Sequence, residues 1–271
     1  MRMLNRKEKL ANGLEQFWLE QGSGDPMLLL HGFPFSSAIW LGQVDYFSKL
    51  GWRVIAPDFR GFGQTTPIPI ETNTMSRLAE DTAALLDYLK IEQAVVMGLS
   101  MGGYVSFAFY RQFPQRVRAL ILVDTKSEAD TPEARENRNK LREAVLQGGS
   151  SAVANDQIPK LFAPESYKSK PDVVAQLAGV IERTDPATIL ATMPGLAGRP
   201  DSTPMLPQIS VPTLVIHGKD DMMMPVEKAR QMARKIPSWQ FSSVPHAGHM
   251  ANLENPEFFN RAVETFLKEL V

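Results

Sequence analysis

Short apolar runs alternate along the chain with longer stretches in which apolar residues return every three or four positions. An unbroken apolar run is typical of a strand that is buried on both faces of a parallel sheet. Such runs predict strands at 27–30, 52–56, 94–97, 119–123 and 213–216. Residues 15–20 are predicted to form an early strand, and a weaker run predicts a strand at 240–244.

The stretches between these runs carry the helical period. One buried stripe of apolar residues is expected from Met75 to Leu89, and another from Phe258 to Leu270. Strands that alternate with helices favour an α/β fold, in which a mostly parallel sheet is flanked by helices on both faces.

The alternation stops between residues 125 and 205, where no strand pattern is found. Thr131-Pro132-Glu133 is a typical helix start and Gly148-Gly149 a typical helix end. Further helices are predicted at 151–162, 171–183 and 186–193.

This break predicts the domain organisation. We expect residues 1–124 and 206–271 to form the core, and residues 125–205 to form a helical lid inserted before the strand at 213–216. The alternative is a structural helical layer that only covers the sheet.

Residues 98–102 have the pattern G-x-S-x-G, between a predicted strand and an apolar stretch from Tyr104 to Phe113. In a sharp strand-to-helix turn, small neighbours leave the middle side chain exposed on a strained backbone. Without the flanking strand and helix, the pattern would indicate only a glycine-rich loop. Its context makes Ser100 the candidate nucleophile.

A serine nucleophile needs a base within hydrogen-bond reach and an acid that orients the base. Two later segments supply these residue types in the order serine, acid, histidine. The segment 217–221 follows a predicted strand and ends in Asp220 and Asp221. The segment 245–250 precedes the last helix and contains His246 and His249.

With these segments, the chain resembles serine α/β-hydrolases of the small carboxylesterase and 3-oxoadipate enol-lactonase-like type. The residues that carry the resemblance are 31–34, 58–63, 98–103, 217–221 and 248–249. The elbow at 98–109 and the pieces at 123–125, 132–134 and 199–203 are similar to thermophilic-type carboxylesterases. The chain also resembles cofactor-free haloperoxidases and perhydrolases.

The resemblance implies a catalytic triad of Ser100, Asp221 and His249. Asp221 and His249 occupy the positions of the family's catalytic aspartate and of its Gly-His pair. Asp220 and Asp124 stay as alternatives for the acid, and His246 as the alternative for the base. His31 and His217 are interpreted as structural histidines that bond to loops.

An oxyanion hole needs two backbone N–H groups aimed at the developing charge. Met101, directly after the nucleophile, and Phe33, in the loop after the strand at 27–30, are the predicted donors. The candidate residues of the substrate pocket lie near these groups or near the acid and base in the sequence: Phe35, Trp40, Met222 and Met250.

Two further patterns are given structural interpretations. Residues 58–63 look like a phosphate loop but lack the Walker lysine and the G-x-G-x-x-G spacing, so we expect a turn held by an Asp58–Arg60 interaction. His246, His249, Asp220 and Asp221 have no recognised metal-ligand spacing. No metal and no cofactor is therefore predicted.

Composition narrows the class of protein. The net charge of −1 gives no electrostatic attraction to nucleic acid or to an anionic membrane. The chain has no cysteine, which excludes a disulfide framework and a thiolate nucleophile. No apolar run approaches the roughly 20 residues of a membrane span, and no signal-peptide core follows the basic N-terminus. We expect a cytoplasmic protein.

The sequence therefore predicts a serine esterase with a small-molecule ester or lactone as its substrate. The same triad also serves lactonases, perhydrolases and carbon–carbon hydrolases, and an inactive binding protein of the same fold is the alternative from another class. An enol-lactonase would need a lid cation for the substrate's carboxylate. The candidates are Arg135, Arg138, Arg142, Arg183 and Arg199.

Overall fold

An eight-stranded sheet forms the centre of the computed structural model, which describes residues 3–66 and 72–270. The strands are β1 (Leu4–Lys9), β2 (Glu15–Gln21), β3 (Pro26–Leu30), β4 (Arg53–Pro57), β5 (Ala94–Leu99), β6 (Val117–Val123), β7 (Thr213–Gly218) and β8 (Trp239–Val244). Their order across the sheet is β1-β2-β4-β3-β5-β6-β7-β8. β1 and β2 run antiparallel to their neighbours, and the other pairs are parallel.

Eleven α-helices of the described residues accompany the sheet. They are α1 (Leu41–Lys49), α2 (Met75–Tyr88), α3 (Met101–Gln112), α4 (Pro132–Gly148), α5 (Ser150–Leu161), α6 (Ser166–Ser169), α7 (Pro171–Arg183), α8 (Pro186–Ala197), α9 (Val226–Ala233), α10 (Ala251–Glu254) and α11 (Pro256–Lys268). The fold is the predicted α/β-hydrolase fold, with a mostly parallel sheet flanked by helices. No helix of the described part is both long and apolar enough to cross a membrane.

The central strands explain the continuous apolar runs. β5 is buried at all six positions, and β6 at all but Arg118, because helices cover both faces of the sheet. β1 was not predicted, since all six of its residues are exposed and five of them are polar. A charged strand at the edge of a sheet also disfavours pairing with a second chain.

Five helices, α4 to α8, lie between β6 and β7. α4 begins where the sequence predicts it, and the Thr131 side chain caps it by accepting a hydrogen bond from the Ala134 N–H. Gly149 ends this helix at a φ of 63°. The four-residue helix α6 was not predicted. The outer bounds of the predicted core, residues 1 and 271, lie outside the described residues.

Backbone strain is concentrated at the carboxyl ends of the strands. Four described non-glycine residues have positive φ, and three of them lie at this edge: Ser100 follows β5 directly, Asp124 follows β6 directly, and His246 lies two residues after β8. The fourth, Lys90, lies two residues after α2. Unusual backbone conformations cluster at functional sites in proteins. The strain therefore points to this edge of the sheet as the place to look for chemistry.

Candidate active site

Ser100 forms the tip of the turn between β5 and α3, with a φ of 53° and a ψ of −111°. Its N–H donates to the Val123 carbonyl at 2.9 Å. Its own carbonyl accepts from the Gly103 N–H at 2.9 Å and from the Thr125 hydroxyl at 2.8 Å. These bonds hold the backbone in a conformation that is rare for serine and leave the side chain partly exposed.

The turn is tight because two other segments approach it. A Cβ at Gly102 would lie 2.1 Å from the Leu30 carbonyl oxygen, so only glycine fits there without a backbone shift. The close approach brings the start of α3 against the end of β3, and the loop that holds Phe33 follows β3.

His249 and Asp221 are joined by a hydrogen bond. The Nδ1 atom of His249 lies 2.8 Å from Oδ2 of Asp221, and both side chains are buried. The other oxygen, Oδ1, accepts from the N–H groups of Met223 at 2.8 Å and Met224 at 2.9 Å. Asp220, the neighbouring alternative, is exposed.

The electrostatics of this pair follow from burial and mutual charge. Burial alone would raise the pKa of Asp221, but His249 and His217 outweigh burial and hold that pKa far below its usual range. Burial alone would lower the pKa of His249, but the Asp221 carboxylate outweighs it and raises that pKa. Asp221 is thus ionised at neutral pH and stabilises a proton on His249.

Two backbone hydrogen bonds hold the segment that contains Asp221, after β7, beside the segment that contains His249, after β8. The Asp220 N–H donates to the Ala247 carbonyl at 2.9 Å, and the Lys219 N–H donates to the Val244 carbonyl at 2.9 Å. Because β7 and β8 are neighbouring parallel strands, their carboxyl ends meet at one edge. Sheet topology therefore places the acid beside the histidine.

His217 belongs to the same buried group, which the sequence did not indicate. Its Nε2–H donates to the Met224 carbonyl at 2.7 Å and lies 3.3 Å from Oδ2 of Asp221. Its Nδ1 lies 3.7 Å from Oδ1 of Asp124 and has no hydrogen-bond partner among the described residues. Burial opposes protonation, but Asp221 and Asp124 together raise the pKa of His217 to about 9.

Asp124, the alternative acid, is fully buried and points at the same group. Its Oδ1 accepts from the Gly218 N–H at 2.7 Å, and its Oδ2 from the Ala251 N–H at 3.3 Å. Burial raises the pKa of this carboxyl to about 7, against the attraction of His217. Asp124 thus faces His217, whereas His249 bonds directly to Asp221.

Asp124, His217 and Asp221 also form the cluster whose geometry would suit a metal ion, with one ligand atom from each within 4.8 Å. The four carboxylate oxygens already accept hydrogen bonds from backbone N–H groups or from His249. The Nε2 atom of His217 carries a proton, since it faces a carbonyl. The cluster is therefore organised as a hydrogen-bond network.

His31 supports the loop that contains Phe33. Its Nδ1–H donates to the Gly32 carbonyl at 2.8 Å, and its Nε2 accepts from the Phe59 N–H at 3.0 Å. Burial lowers the pKa of His31 to about 4, so the ring is neutral. Among the described residues, neither the Phe33 N–H nor the Met101 N–H donates to a protein acceptor.

The predicted pocket residues fall into two environments. Phe35, Trp40 and Met250 are fully buried, and the Trp40 ring packs near Phe259 of α11 with centroids 6.5 Å apart. Met222 is 65% exposed. Contact of these side chains with a substrate stays a prediction.

The interpretation of residues 58–63 needs one correction. The turn is structural, but Asp58 and Arg60 do not hold it together. Arg60 pairs with Asp81 of α2 through two hydrogen bonds of 2.8 and 2.6 Å. Asp58 instead accepts from the N–H groups of Ser37 and Gln64, each at 2.7 Å. Arg60 pairs with the more distant Asp81 because both oxygens of Asp58 already accept hydrogen bonds from backbone N–H groups.

Comparison with known proteins agrees with this geometry. The model of the alpha/beta hydrolase fold family matches residues 25–256. The chain is 30% identical over 231 residues to 3-oxoadipate enol-lactonase 2 of Acinetobacter baylyi, covering 85% of this chain and 84% of that protein. It is 30% identical to 2-hydroxymuconate semialdehyde hydrolase of Pseudomonas putida, covering 97% and 94%.

Among solved structures, a thermophilic esterase from Thermogutta terrifontis superposes with a TM-score of 0.94. The two sequences are 38% identical, and the match covers 98% of this chain and 99% of that chain. The family model and these relatives span nearly the whole core and the helices between β6 and β7. The chain therefore belongs to the alpha/beta hydrolase family.

Proposed function

We propose that this protein is a serine hydrolase that cleaves short-chain carboxylic esters of small molecules through an acyl-enzyme. The observation that carries the proposal is the 2.8 Å bond between His249 and Asp221 at the sheet edge where Ser100 forms a strained turn. The order serine, acid, histidine and the strand-to-helix position of the serine are those of hydrolases with a nucleophile elbow.

In this mechanism Ser100 attacks the acyl carbon while His249 takes the hydroxyl proton. Asp221 holds the imidazole with Nδ1 protonated, which leaves Nε2 free to act as the base. His249 then donates the proton to the leaving alcohol. Water attacks the acyl-enzyme in the second half, with His249 again as the base.

The Phe33 and Met101 N–H groups are the proposed oxyanion hole. Both lack an acceptor within the described part of the protein, which an oxyanion donor requires. They flank the turn, since Met101 follows Ser100 and Gly102 contacts the end of β3. Loss of one such donor typically costs about 2.7–4 kcal/mol of transition-state stabilisation.

The helices α4 to α8 are the proposed lid, as part of residues 125–205. They follow the strand that ends beside Asp124 and return to the strand that ends beside Asp221, so they lie next to the catalytic edge in the chain path. The backbone of the insertion also bonds to the histidine loop, since His249 donates its N–H to the Leu161 carbonyl at 2.8 Å.

The lactonase alternative has support from the enol-lactonase relative, but the candidate cations do not favour it. Arg138 and Arg199 both pair with Asp130, at 2.5 and 2.7 Å. Arg135, Arg142 and Arg183 are exposed. None of these five arginines thus combines burial with a guanidinium that is free of a carboxylate, as a specific site for a substrate's carboxylate would need.

Labelling by a fluorophosphonate, followed by a panel of p-nitrophenyl esters and lactones, tests the proposal. We expect covalent labelling of the wild type at Ser100, no labelling of Ser100→Ala, and faster turnover of esters than of lactones. An unlabelled wild type would favour an inactive binding protein. Labelling with preferential lactone opening would favour the lactonase.

A further inference from the structure

Glu254 is a buried carboxylate that the proposed mechanism does not use. It ends the short helix α10, five residues after His249, and its side chain is almost completely shielded from solvent. Burying a carboxylate is unfavourable unless hydrogen bonds replace its hydration. The groups that donate hydrogen bonds to the Glu254 carboxylate therefore identify the segments that this side chain joins.

One oxygen of Glu254 bonds to the histidine loop. Oε1 accepts from the Gly248 N–H at 2.7 Å and from the Met250 N–H at 3.3 Å. Gly248 and Met250 are the residues directly before and after His249. Both flanks of the proposed base are therefore attached to a single carboxylate oxygen.

The other oxygen bonds to the insertion between β6 and β7. Oε2 accepts from the Ala163 N–H at 2.7 Å and from the Ser166 hydroxyl at 2.6 Å. Ala163 lies between α5 and α6, and Ser166 begins α6. Lys170, at the end of the same segment, donates to the Glu254 carbonyl.

Further contacts join the same two segments. The His249 N–H donates to the Leu161 carbonyl at 2.8 Å. A Cβ at Gly248 would lie 2.7 Å from the Ala163 nitrogen, so the two backbones touch where glycine allows it. The histidine loop thus rests on residues 161–166 of the insertion as much as on the sheet.

We propose that Glu254 is a positioning residue that couples the seating of the insertion to the placement of the His249 imidazole. The inference rests on the proposed function, because it assigns His249 as the base. Its chemistry requires a carboxylate: each oxygen faces two donors, and an amide would turn its NH₂ group toward one of the two donor pairs. Glu254→Gln therefore breaks one side of the bridge while it keeps the size of the side chain.

The experiment compares Glu254→Gln, Ser166→Ala and a control with the wild type. Ser166→Ala removes one donor on the insertion side only. Glu257→Gln is the matched control, because Glu257 is exposed on α11 and, among the described residues, its side chain bonds to Arg261 alone. The readouts are kcat and KM for p-nitrophenyl butyrate, the rate of fluorophosphonate labelling, and the far-downfield proton resonance of His249 Nδ1–H.

We expect kcat and the labelling rate of Glu254→Gln to fall about 10- to 100-fold with KM changed little, since a shift on the order of 1 Å at a reacting group has such an effect. Ser166→Ala should show a smaller fall in kcat, and Glu257→Gln none. The Nδ1–H resonance should shift or broaden in both bridge variants, because the imidazole is held less firmly.

A structural role alone would lower the thermal midpoint of Glu254→Gln and leave kcat, labelling and the resonance as in the wild type; that result would overturn the inference. If Glu254→Gln does not fold, an unchanged resonance and kcat in Ser166→Ala would overturn it instead. Failure of the wild type to label would contradict the proposed function, a result that is distinct from either of these.

Discussion

His217 places its Nε2 atom 3.3 Å from Oδ2 of Asp221, the same oxygen that accepts the hydrogen bond from His249. The catalytic acid that we propose is therefore shared by two imidazoles. Their charges oppose each other: a protonated His217 makes protonation of His249 less favourable, and so lowers the pKa of His249.

The first prediction concerns this second imidazole. Replacement of His217 by glutamine removes the charge that lowers the pKa of His249, while the Asp221 carboxylate still raises it. The acid limb of kcat/KM, which reports deprotonation of the base, should therefore move to higher pH. The measurement is a pH profile of ester hydrolysis.

His246→Asn is the matched control for that profile. His246 is exposed and faces Glu165 at 3.5 Å, away from the buried group. Asparagine also tolerates the positive φ of this position. If the acid limb moved with His246→Asn and not with His217→Gln, the assignment of His249 as the base would be wrong.

The second prediction assigns the acid. Asp221→Asn should reduce kcat by about 10⁴-fold, as loss of the triad carboxylate does elsewhere, because the amide no longer fixes the tautomer of His249. Asp220→Asn should have little effect, since Asp220 is exposed. Asp124→Asn should cost much less than Asp221→Asn, because Asp124 has no bond to His249. Equal damage from Asp124→Asn would move the acid to the end of β6.

The third prediction uses the raised pKa of Asp124 as a probe of stability. The folded protein holds the Asp124 proton up to a pKa of about 7, whereas the unfolded chain releases it near 3.8. Between these values the folded state binds more protons, so the contribution of this group to stability falls as pH rises. Relative to the wild type, Asp124→Asn should gain stability as pH rises from 4 toward 5.5, a range in which His217 is charged in both the folded and the unfolded state.

Urea unfolding across that window gives the measurement. The difference in the free energy of unfolding, variant minus wild type, should become more positive with pH. A difference that is flat or falls with pH would mean that Asp124 is ionised in the folded protein throughout the window.

Much of this architecture could be predicted from the sequence because its signals are local. Unbroken apolar runs indicate strands with two covered faces. Gly102 indicates a tight turn, where the backbone at Leu30 comes too close for any side chain. β1 gave no such signal, since an exposed edge strand has no face to bury. Arg60 was paired with its neighbour Asp58, while the structure pairs it with Asp81, which only the packing of α2 brings near.

The same limit applies to the candidate site. Ser100, Asp221 and His249 stand in recognisable local segments, so their types and order could be predicted. The roles of His217 and Glu254 depend on what several distant segments place around them, namely Asp124, Met224 and residues 161–166. No spacing in the sequence encodes such a neighbourhood.

The fourth prediction concerns the attachment of the insertion. Asp130 is buried and pairs with Arg199 at 2.7 Å and with Arg138 at 2.5 Å, and Arg199 stacks over Tyr104 of α3 at 4.0 Å. Asp130→Asn leaves a buried guanidinium without its counter-charge, which typically costs about 3–5 kcal/mol. The free energy of unfolding should fall accordingly. Asp156→Asn, at an exposed pair with Lys160, should change it by no more than about 1 kcal/mol.

The last prediction is that short acyl esters, from acetate to butyrate, are hydrolysed faster than esters of twelve carbons or more. Residues 125–205, all of which the structure describes, expose one large apolar side chain, Leu146. The outer surface of α4 is instead charged, so the insertion has no broad apolar face for an oil–water interface. In an enzyme with a long acyl tunnel, each buried methylene of the substrate would contribute roughly 0.8 kcal/mol to binding. The value of kcat/KM would then rise with chain length.

The measurement is kcat/KM along a series of p-nitrophenyl esters below their micelle concentrations. We expect a maximum at short chains followed by a decline, since we propose that the buried aromatic side chains of Phe33 and Phe35 close the acyl end of the pocket. Phe35→Ala serves as the internal comparison: if its ring limits the pocket, the maximum moves to longer chains. A continuous rise through dodecanoate, or activation at an interface, would contradict the short-chain preference and favour a lipase.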